Sequence, residues 1–434
     1  MTWGLLGPEK LGSERRTRTL ELGSAVRTYN DLAFPGLGGV WFGKQLFLAT
    51  LGVVVAEQVR NSGKPANNIE ITNAIEALAC WLALDSNGWQ PDPRLRGARK
   101  LKPRSKNDLS FAKFRRRNFY VTAPMRQVTI QPLIEFGLID SAGERFNSFR
   151  SNSIGSEFVD LVCRKLRPHR RSVVDHLVYW VNGEQGKAKT PTLHEALSPL
   201  LPLPRNACDF LRQRIVRGGD EDAQRRQNSF AWANQIKESE SVSPGWNDKP
   251  PKLDERHWSD LKAGAKFFLA RDAAIVLLDQ IELEIGNSSQ QKLNLDEQMS
   301  VKIIAACHEL RQVAQAFIDH GHDPSADISA TRFSRECIAD SDVQVIENLL
   351  MREGRVLRQS GRNVVPGTAF RGILSGSTGM ARSDEEDGEE VENDLSSLFP
   401  AGISNRVGRM FLLNRDLDRE MDSWLNPSES EGEA

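Results

Sequence analysis

The sequence predicts a mainly α-helical, multidomain protein. Most segments of the chain carry apolar residues at helical spacing, as in 68–84, and Pro-rich or polar joints separate them at 90–105, 183–191 and 238–252. The 434 residues leave room for two or three domains with a sizeable core. A composition of 39% hydrophobic and 26% charged residues is typical of a soluble globular protein.

Apolar spacing and turn-forming residues set the expected elements. We expect helices at 40–59, 68–84, 172–181, 193–200, 207–216, 255–285, 296–320, 343–352 and 406–425. Residues 384–394 hold eight acids and no base, which predicts a disordered loop. The expected division is an N-terminal helical region at 1–93, a basic module at 94–171, a helical domain at 172–354 and a C-terminal region at 355–434.

One short stretch has the spacing of a nucleotide-binding loop. Gly38, Gly43 and Lys44 match G-x-x-x-x-G-K. Trp41 and Phe42 would crowd a phosphate, however, and Gln45 stands where a Ser or Thr should hold magnesium. We therefore interpret the stretch as a loop that enters a core helix.

The cysteines and the N-terminus indicate a cytoplasmic protein. The five cysteines are scattered, so they predict buried thiols in a reducing compartment rather than a disulfide framework. The first residues are charged where a signal peptide needs an apolar run. The longest uncharged apolar run, 45–56, is too short for the roughly 20 residues of a membrane-spanning helix.

Residues 132–166 have the order of elements found beside a DNA-reading helix. Residues 125–136 would form that helix, broken or started afresh near Pro132, and Gly137 would end it. A strand at Leu138 and Ile139, a turn at 140–143 and a return strand at 145–149 would form a hairpin. A closing helix would run from about 153 to Leu166. In this order the segment 109–166 resembles a winged helix-turn-helix domain, which implies contact with nucleic acid.

Charge supports this interpretation. Eleven bases and one acid lie between residues 94 and 117, and a second basic run follows at 164–171. Such concentrations of Lys and Arg neutralise phosphates. Side chains at 126–131 and in the hairpin could meet base edges or phosphates if the resemblance holds. The candidate nucleic-acid-binding residues are Arg99, Lys100, Lys102, Arg104, Lys106, Lys113, Arg115, Arg116, Arg117, Arg126, Gln127, Thr129, Gln131, Arg145, Asn147, Arg150, Arg164 and Lys165.

Evidence for catalysis is weak. Asp319, His320, His322 and Asp323 could together hold a metal, but Gly321 and Pro324 explain the same stretch as the end of a long helix. We predict no metal, no cofactor and no catalytic residue. Residues 363–379 read as a Gly- and Ser-rich linker.

The leading hypothesis is a non-catalytic nucleic-acid-binding protein, with DNA as the expected nucleic acid. It would act as a subunit or adaptor of a larger assembly with protein partners and no membrane. The general appearance resembles bacterial proteins of antiviral-defence or mobile-element gene clusters, although no motif carries that resemblance. The alternatives are a protein–protein scaffold and a divergent metal-dependent nuclease centred on His320 and His322.

Overall fold

The protein is mainly α-helical. The computed structural model describes residues 18–101, 109–116, 119–184, 189–238, 245–372 and 398–425. These residues contain seventeen α-helices and two small sheets. The chain divides into two compact units, each built from separate segments. Unit one comprises Met1–Leu32, Trp258–Ala381 and Ala401–Ser404, and unit two comprises Ala33–His257, Arg382–Pro400 and Asn405–Ala434.

Two buried helices form the centre of unit two. Helix α2 (Gly43–Asn61) and helix α3 (Asn68–Ser86) are apolar on nearly all sides and are buried over most of their length. They cross closely because Gly52 has no side chain: a Cβ there would come within 2.2 Å of Thr72 Oγ1. The side chain of Asn67 caps α3 by accepting from the Glu70 amide. Both helices were expected, with ends within a few residues of those observed.

A β-hairpin packs beside these helices. Strands β1 (Ile139–Ser141) and β2 (Phe149–Ser151) pair antiparallel, with Ile139 opposite Ser151. Gly137 has a φ of 65°, as expected of a helix-ending glycine. The Asn152 side chain accepts from the Gly155 amide and caps α7 (Ser153–Cys163). The closing helix begins where the sequence predicts, but the return strand expected at 145–149 is wrong over most of its length, because Phe146–Ser148 form a 3₁₀ turn and β2 begins at Phe149. The winged-helix resemblance stays a prediction.

The expected reading helix at 125–136 is interrupted near Pro132, as the sequence suggested. Residues Met125–Thr129 form a 3₁₀ turn, and helix α6 covers Ile130–Glu135. Pro132 has no amide hydrogen and fits only the first turn of an α-helix, so regular hydrogen bonding begins just before it. Among the described residues between 94 and 124, only α4 (Ala98–Leu101) and α5 (Phe111–Phe114), of four residues each, are α-helical.

The rest of unit two is helical. Its helices are α8 (Val173–Val181), α9 (Pro191–Leu197), α10 (Arg205–Ile215) and α11 (Glu221–Glu238), together with the final helices α16 (Asn405–Leu417) and α17 (Met421–Leu425). The single helix expected at 406–425 is therefore two helices. They are separated at Arg419, whose φ of 65° breaks the helical path.

Among the described residues, unit one is organised around five α-helices. They are α1 (Gly23–Ala33), α12 (Glu255–Asn287), which begins in unit two, α13 (Val301–His320), α14 (Ser329–Cys337) and α15 (Asp342–Glu353). Tyr29 stacks on Phe267 with ring centroids 5.0 Å apart and meets the edge of Phe317 at 6.4 Å. These rings belong to one continuous apolar core.

A small sheet completes unit one and corrects two expectations. Strands β3 (Leu293–Asn294), β4 (Leu357–Ser360) and β5 (Asn363–Pro366) pair in the order β3-β5-β4. The prediction of a linker at 363–379 is therefore wrong for its first four residues, which form β5. Residues 373–379 of the predicted linker lie outside the described part of the chain. Helix α13 begins at Val301 rather than at residue 296, because the Ser300 side chain caps it by accepting from the Ile303 amide.

The predicted boundaries and thiols can be placed in this fold. The boundaries expected after residues 93 and 171 fall inside unit two, and the one after 354 falls inside unit one. All five cysteines are buried and free. Within the residues that the structure describes, no helix is long and apolar enough to cross a membrane.

Candidate nucleic-acid interface

Helix α8 joins the two basic runs that lie far apart in the sequence. Trp180 on α8 is 1% exposed, and its Nε1 donates to the Leu109 carbonyl at 2.7 Å. Its ring also meets those of Phe111 and Phe114 edge-on, at 5.4 and 6.2 Å. This aromatic contact holds α5 on α8. Lys113 on α5 and Arg115 and Arg116 directly after it are thereby attached to the same helix as the second basic run.

The second basic run contacts α8 through stacked rings. His169 stacks on His176 of α8 with centroids 5.5 Å apart. The Arg171 guanidinium lies 3.9 Å from the centre of the Tyr179 ring. Tyr179 is 37% exposed, so this Arg–Tyr pair is a flat, positively charged surface in contact with solvent. His169 and Arg170 both have positive φ, 48° and 66°, which is unusual for residues other than glycine.

His176, the α8 residue on which His169 stacks, is a buried histidine. Its side chain is fully buried, and neither ring nitrogen has a hydrogen-bond partner in the part of the chain that is described. Burial lowers the pKa of His176 from 6.5 to about 4, and the neighbouring His169 and Arg171 add to this. His176 is therefore neutral at physiological pH and contributes packing rather than charge. The charge of the surface comes from the arginines and lysines around it.

The residues expected to read bases face inward. Arg126 Nε donates to Asn73 Oδ1 at 2.6 Å, and its guanidinium lies over the Phe146 ring. Thr129 is fully buried and donates to the Arg126 carbonyl. Gln131 Oε1 accepts from Arg406 Nη2 at 3.2 Å. Only Gln127 of this group is exposed, so the segment 125–131 presents few groups to a ligand.

The hairpin is joined to α5 through the first turn of α3. Asn147 Oδ1 accepts from the Ile69 amide at 3.1 Å, and Arg115 Nη1 lies 3.3 Å from Glu70 Oε2. Arg145 and Arg150 are exposed. Asp140 and Glu144 lie in the same hairpin, so residues 139–151 carry no net charge. The hairpin is therefore a weaker attraction for phosphate than α5 and the run 164–171.

The remaining candidates fall into two groups. Arg99 and Lys100 are exposed on α4, and Lys165 is exposed beyond α7. Arg164 is exposed but already bonds Asp160, with Nη2 2.6 Å from Oδ2. Lys102, Arg104, Lys106 and Arg117 lie outside the described residues. The sequence analysis missed Tyr179 and Trp180, since a short helical segment gives no signal that its rings hold two distant basic runs.

The nucleotide-loop spacing has a structural explanation. The first amide of α2, at Gly43, donates to Asp416 Oδ2 at 2.8 Å. Lys44 is 2% exposed, and its Nζ donates to the Ala196 carbonyl at 2.6 Å. A carboxylate of the protein thus occupies the helix N-terminus where a phosphate would bind. Burial raises the pKa of Asp416 to about 6 and lowers that of Lys44 to about 8.

The segment considered for metal binding forms an ordinary helix end. Gly321 adopts φ 69° and ends α13, as expected. His322 Nε2 lies 2.6 Å from the buried Asp260 Oδ1, and Asp323 accepts from Tyr29 and from residues of the following turn. Among the residues described, no three His, Cys, Asp or Glu side chains are grouped so as to hold a metal ion.

Comparison of the chain with protein-family models, with curated proteins and with solved structures found no match.

Proposed function

We propose that unit two binds nucleic acid through the basic surface around α8, without catalysing a reaction. The observation that carries this proposal is the meeting of two separate basic runs on one helix. Trp180 holds the run at 113–116, and the His169–His176 and Arg171–Tyr179 stacks hold the run at 164–171. We refer to Lys113, Arg116, Lys165, Arg167, Arg170 and Arg171, together with Tyr179, as the α8 surface.

The exposed groups of the α8 surface suit phosphates better than base edges. Lys165, Arg167 and Arg170 are exposed, and no acidic residue lies between Asp160 and Asp175. Arg and Lys donate to phosphate oxygens whatever the base sequence. Because Arg126, Thr129 and Gln131 bond within the protein, we propose that binding is independent of sequence, with duplex DNA as the ligand.

The test is a fluorescence-anisotropy titration of the full chain with labelled duplex DNA at several salt concentrations. A Lys165→Ala/Arg167→Ala/Arg170→Ala variant removes three exposed bases of the α8 surface. Each phosphate contact contributes about 0.9 to the slope of log K against log salt, so the slope should become shallower by about 2.7. Single-stranded DNA serves as the second ligand, and equal or tighter binding to it would assign the surface to unpaired strands.

The control removes the same charge elsewhere in unit two. Arg205, Arg217 and Lys252 are exposed and lie outside the α8 surface. Their triple alanine variant should keep nearly the wild-type affinity and slope. Equal losses in both triple variants would mean that net charge alone governs binding, which contradicts a defined surface. Absence of binding at low salt would favour the protein–protein scaffold.

The adaptor role forms part of the same proposal. If the protein joins nucleic acid to a larger assembly, the Lys165→Ala/Arg167→Ala/Arg170→Ala variant should still capture its protein partners while losing nucleic acid. Pull-down with nuclease treatment separates the two, since partners held only through nucleic acid would disappear after digestion.

A further inference from the structure

Unit one contains a surface cavity that the proposed function does not use. Its volume is about 600 Å³. The lining residues are Asp327, Ile328, Arg332, Arg335, Glu336 and Asn348, from α14, the turn before it and α15. Small-molecule sites in proteins commonly measure about 300–1,000 Å³. The cavity is therefore large enough for a compact organic ligand.

Two arginines supply the positively charged groups of the cavity lining. Arg332 and Arg335 lie three residues apart on α14 and so share a face of the helix. Both are exposed, and within the described part of the chain neither guanidinium has a carboxylate partner. Arg332 Nη2 instead donates to the Asp327 carbonyl at 3.0 Å. Several N–H groups of the pair are thus available to an anionic ligand.

The two acidic residues of the lining differ in whether a neighbouring cation compensates their charge. Glu336 bonds Arg352 through both carboxylate oxygens, with Nη2 2.9 Å from Oε1, so its charge is compensated. Asp327 is exposed and has no such cation beside its carboxylate in the described residues. The Asp327 carboxylate would repel an anionic group held by the two arginines. Removing the charge of Asp327 should therefore strengthen anion binding, whereas removing the arginines should weaken it.

The turn before α14 gives the cavity an apolar wall. Asp327 and Ile328 both adopt left-handed backbone, with φ of 54° and 46°. This conformation is strongly disfavoured for a β-branched residue. The turn leaves Ile328 54% exposed at the lining instead of buried in the core.

We propose that this cavity binds a phosphate-bearing small molecule of mononucleotide size. Guanidinium groups bind phosphate oxygens through paired, charge-assisted hydrogen bonds. Arg332 and Arg335 contact the phosphate, and Ile328 contacts the apolar part of the ligand. The site lies wholly within unit one and is independent of the α8 surface.

The experiment is isothermal titration calorimetry of the full chain with adenosine 5′-monophosphate, inorganic phosphate and adenosine as separate probes. Saturable binding of the nucleotide, weaker binding of phosphate and weaker binding of adenosine are expected. The Arg332→Ala/Arg335→Ala variant should lose at least about tenfold in nucleotide affinity, since charge-assisted hydrogen bonds are the stronger class. Asp327→Asn should instead bind the nucleotide several-fold more tightly, because it removes the opposing charge.

Controls separate a site from general charge and from misfolding. Arg358 on β4 is exposed, so Arg358→Ala removes a similar charge away from the cavity and should bind as the wild type does. Thermal unfolding of each variant verifies that the fold is kept. The proposal is overturned if the nucleotide does not bind saturably, if the double variant binds unchanged, or if Asp327→Asn binds more weakly. Loss of DNA binding in the α8-surface variant has no bearing on this result.

Discussion

The buried carboxyl of Glu76 makes the stability of unit two depend on pH. Glu76 lies on α3 and is fully buried, and the Tyr120 hydroxyl donates to its Oε2 at 2.7 Å. Its Oε1 has no hydrogen-bond partner in the described part of the chain. Burial raises the pKa of Glu76 from 4.5 to about 7, although the Tyr120 hydrogen bond and the positive charge of Arg126 act in the opposite direction.

The raised pKa means that the folded protein keeps a proton that the unfolded chain releases. Below pH 4.5 both states are protonated, so Glu76 causes no loss of stability there. As the pH rises through this value and up to about 7, stability falls, and the loss is complete above that range. The gap between the two pKa values corresponds to about 3 kcal/mol.

Glu76→Gln keeps the shape of the side chain and an acceptor for Tyr120 but cannot ionise. We expect the variant to be more stable than wild type by about 3 kcal/mol at pH 8 and to show little difference near pH 4. Urea unfolding at a series of pH values, followed by tryptophan fluorescence, measures this. Glu157 is exposed, so Glu157→Gln is the matched control and should follow the wild type. Parallel stability profiles for wild type and Glu76→Gln between pH 4 and 8 would refute the reasoning.

Three further substitutions test other parts of the structure. Trp180→Phe keeps a ring but removes the hydrogen bond to Leu109, so urea unfolding should show a loss of about 1 kcal/mol, and anisotropy titration should show weaker DNA binding. Ile328→Asn should stabilise the protein by about 1 kcal/mol in thermal unfolding, because Asn tolerates left-handed backbone far better than Ile; no gain would mean that the turn is not strained. Asp416→Ala leaves the Gly43 amide buried without an acceptor and should cost about 2 kcal/mol by urea unfolding. An unchanged midpoint would show that water replaces the carboxylate.

Local signals in the sequence were sufficient for much of the helical fold. Gly137 and Gly321 each end a helix through their own left-handed backbone, so their effects can be read from neighbouring residues. Helix α11 was missed because its apolar residues are few and show almost no helical periodicity. Its buried Arg226 donates to the Ile215 carbonyl, a contact that depends on the tertiary fold.

At the candidate interface, too, some features follow from the local sequence and others depend on contacts between residues far apart in the chain. The basic runs are visible as composition, and their meeting on α8 depends on Trp180 contacting residues some seventy positions away. Conversely, Arg126 and Gln131 have suitable chemistry for nucleic acid, but Asn73 and Arg406 bond them inside unit two. Residue type alone could not show which polar groups remain exposed.

The hydrogen bond between Gly43 and Asp416 also bears on how the chain is synthesised. The two residues are 373 positions apart, so the first turn of α2 leaves the ribosome long before its carboxylate partner. Residues 258–372, which belong to unit one, emerge in between. Most of unit two therefore leaves the ribosome before most of unit one, yet unit two cannot be completed until unit one has been synthesised, although domains usually fold in order from the N-terminus. A nascent chain that stops before α16 would expose the central helices of unit two, and chaperones would be expected to bind it there.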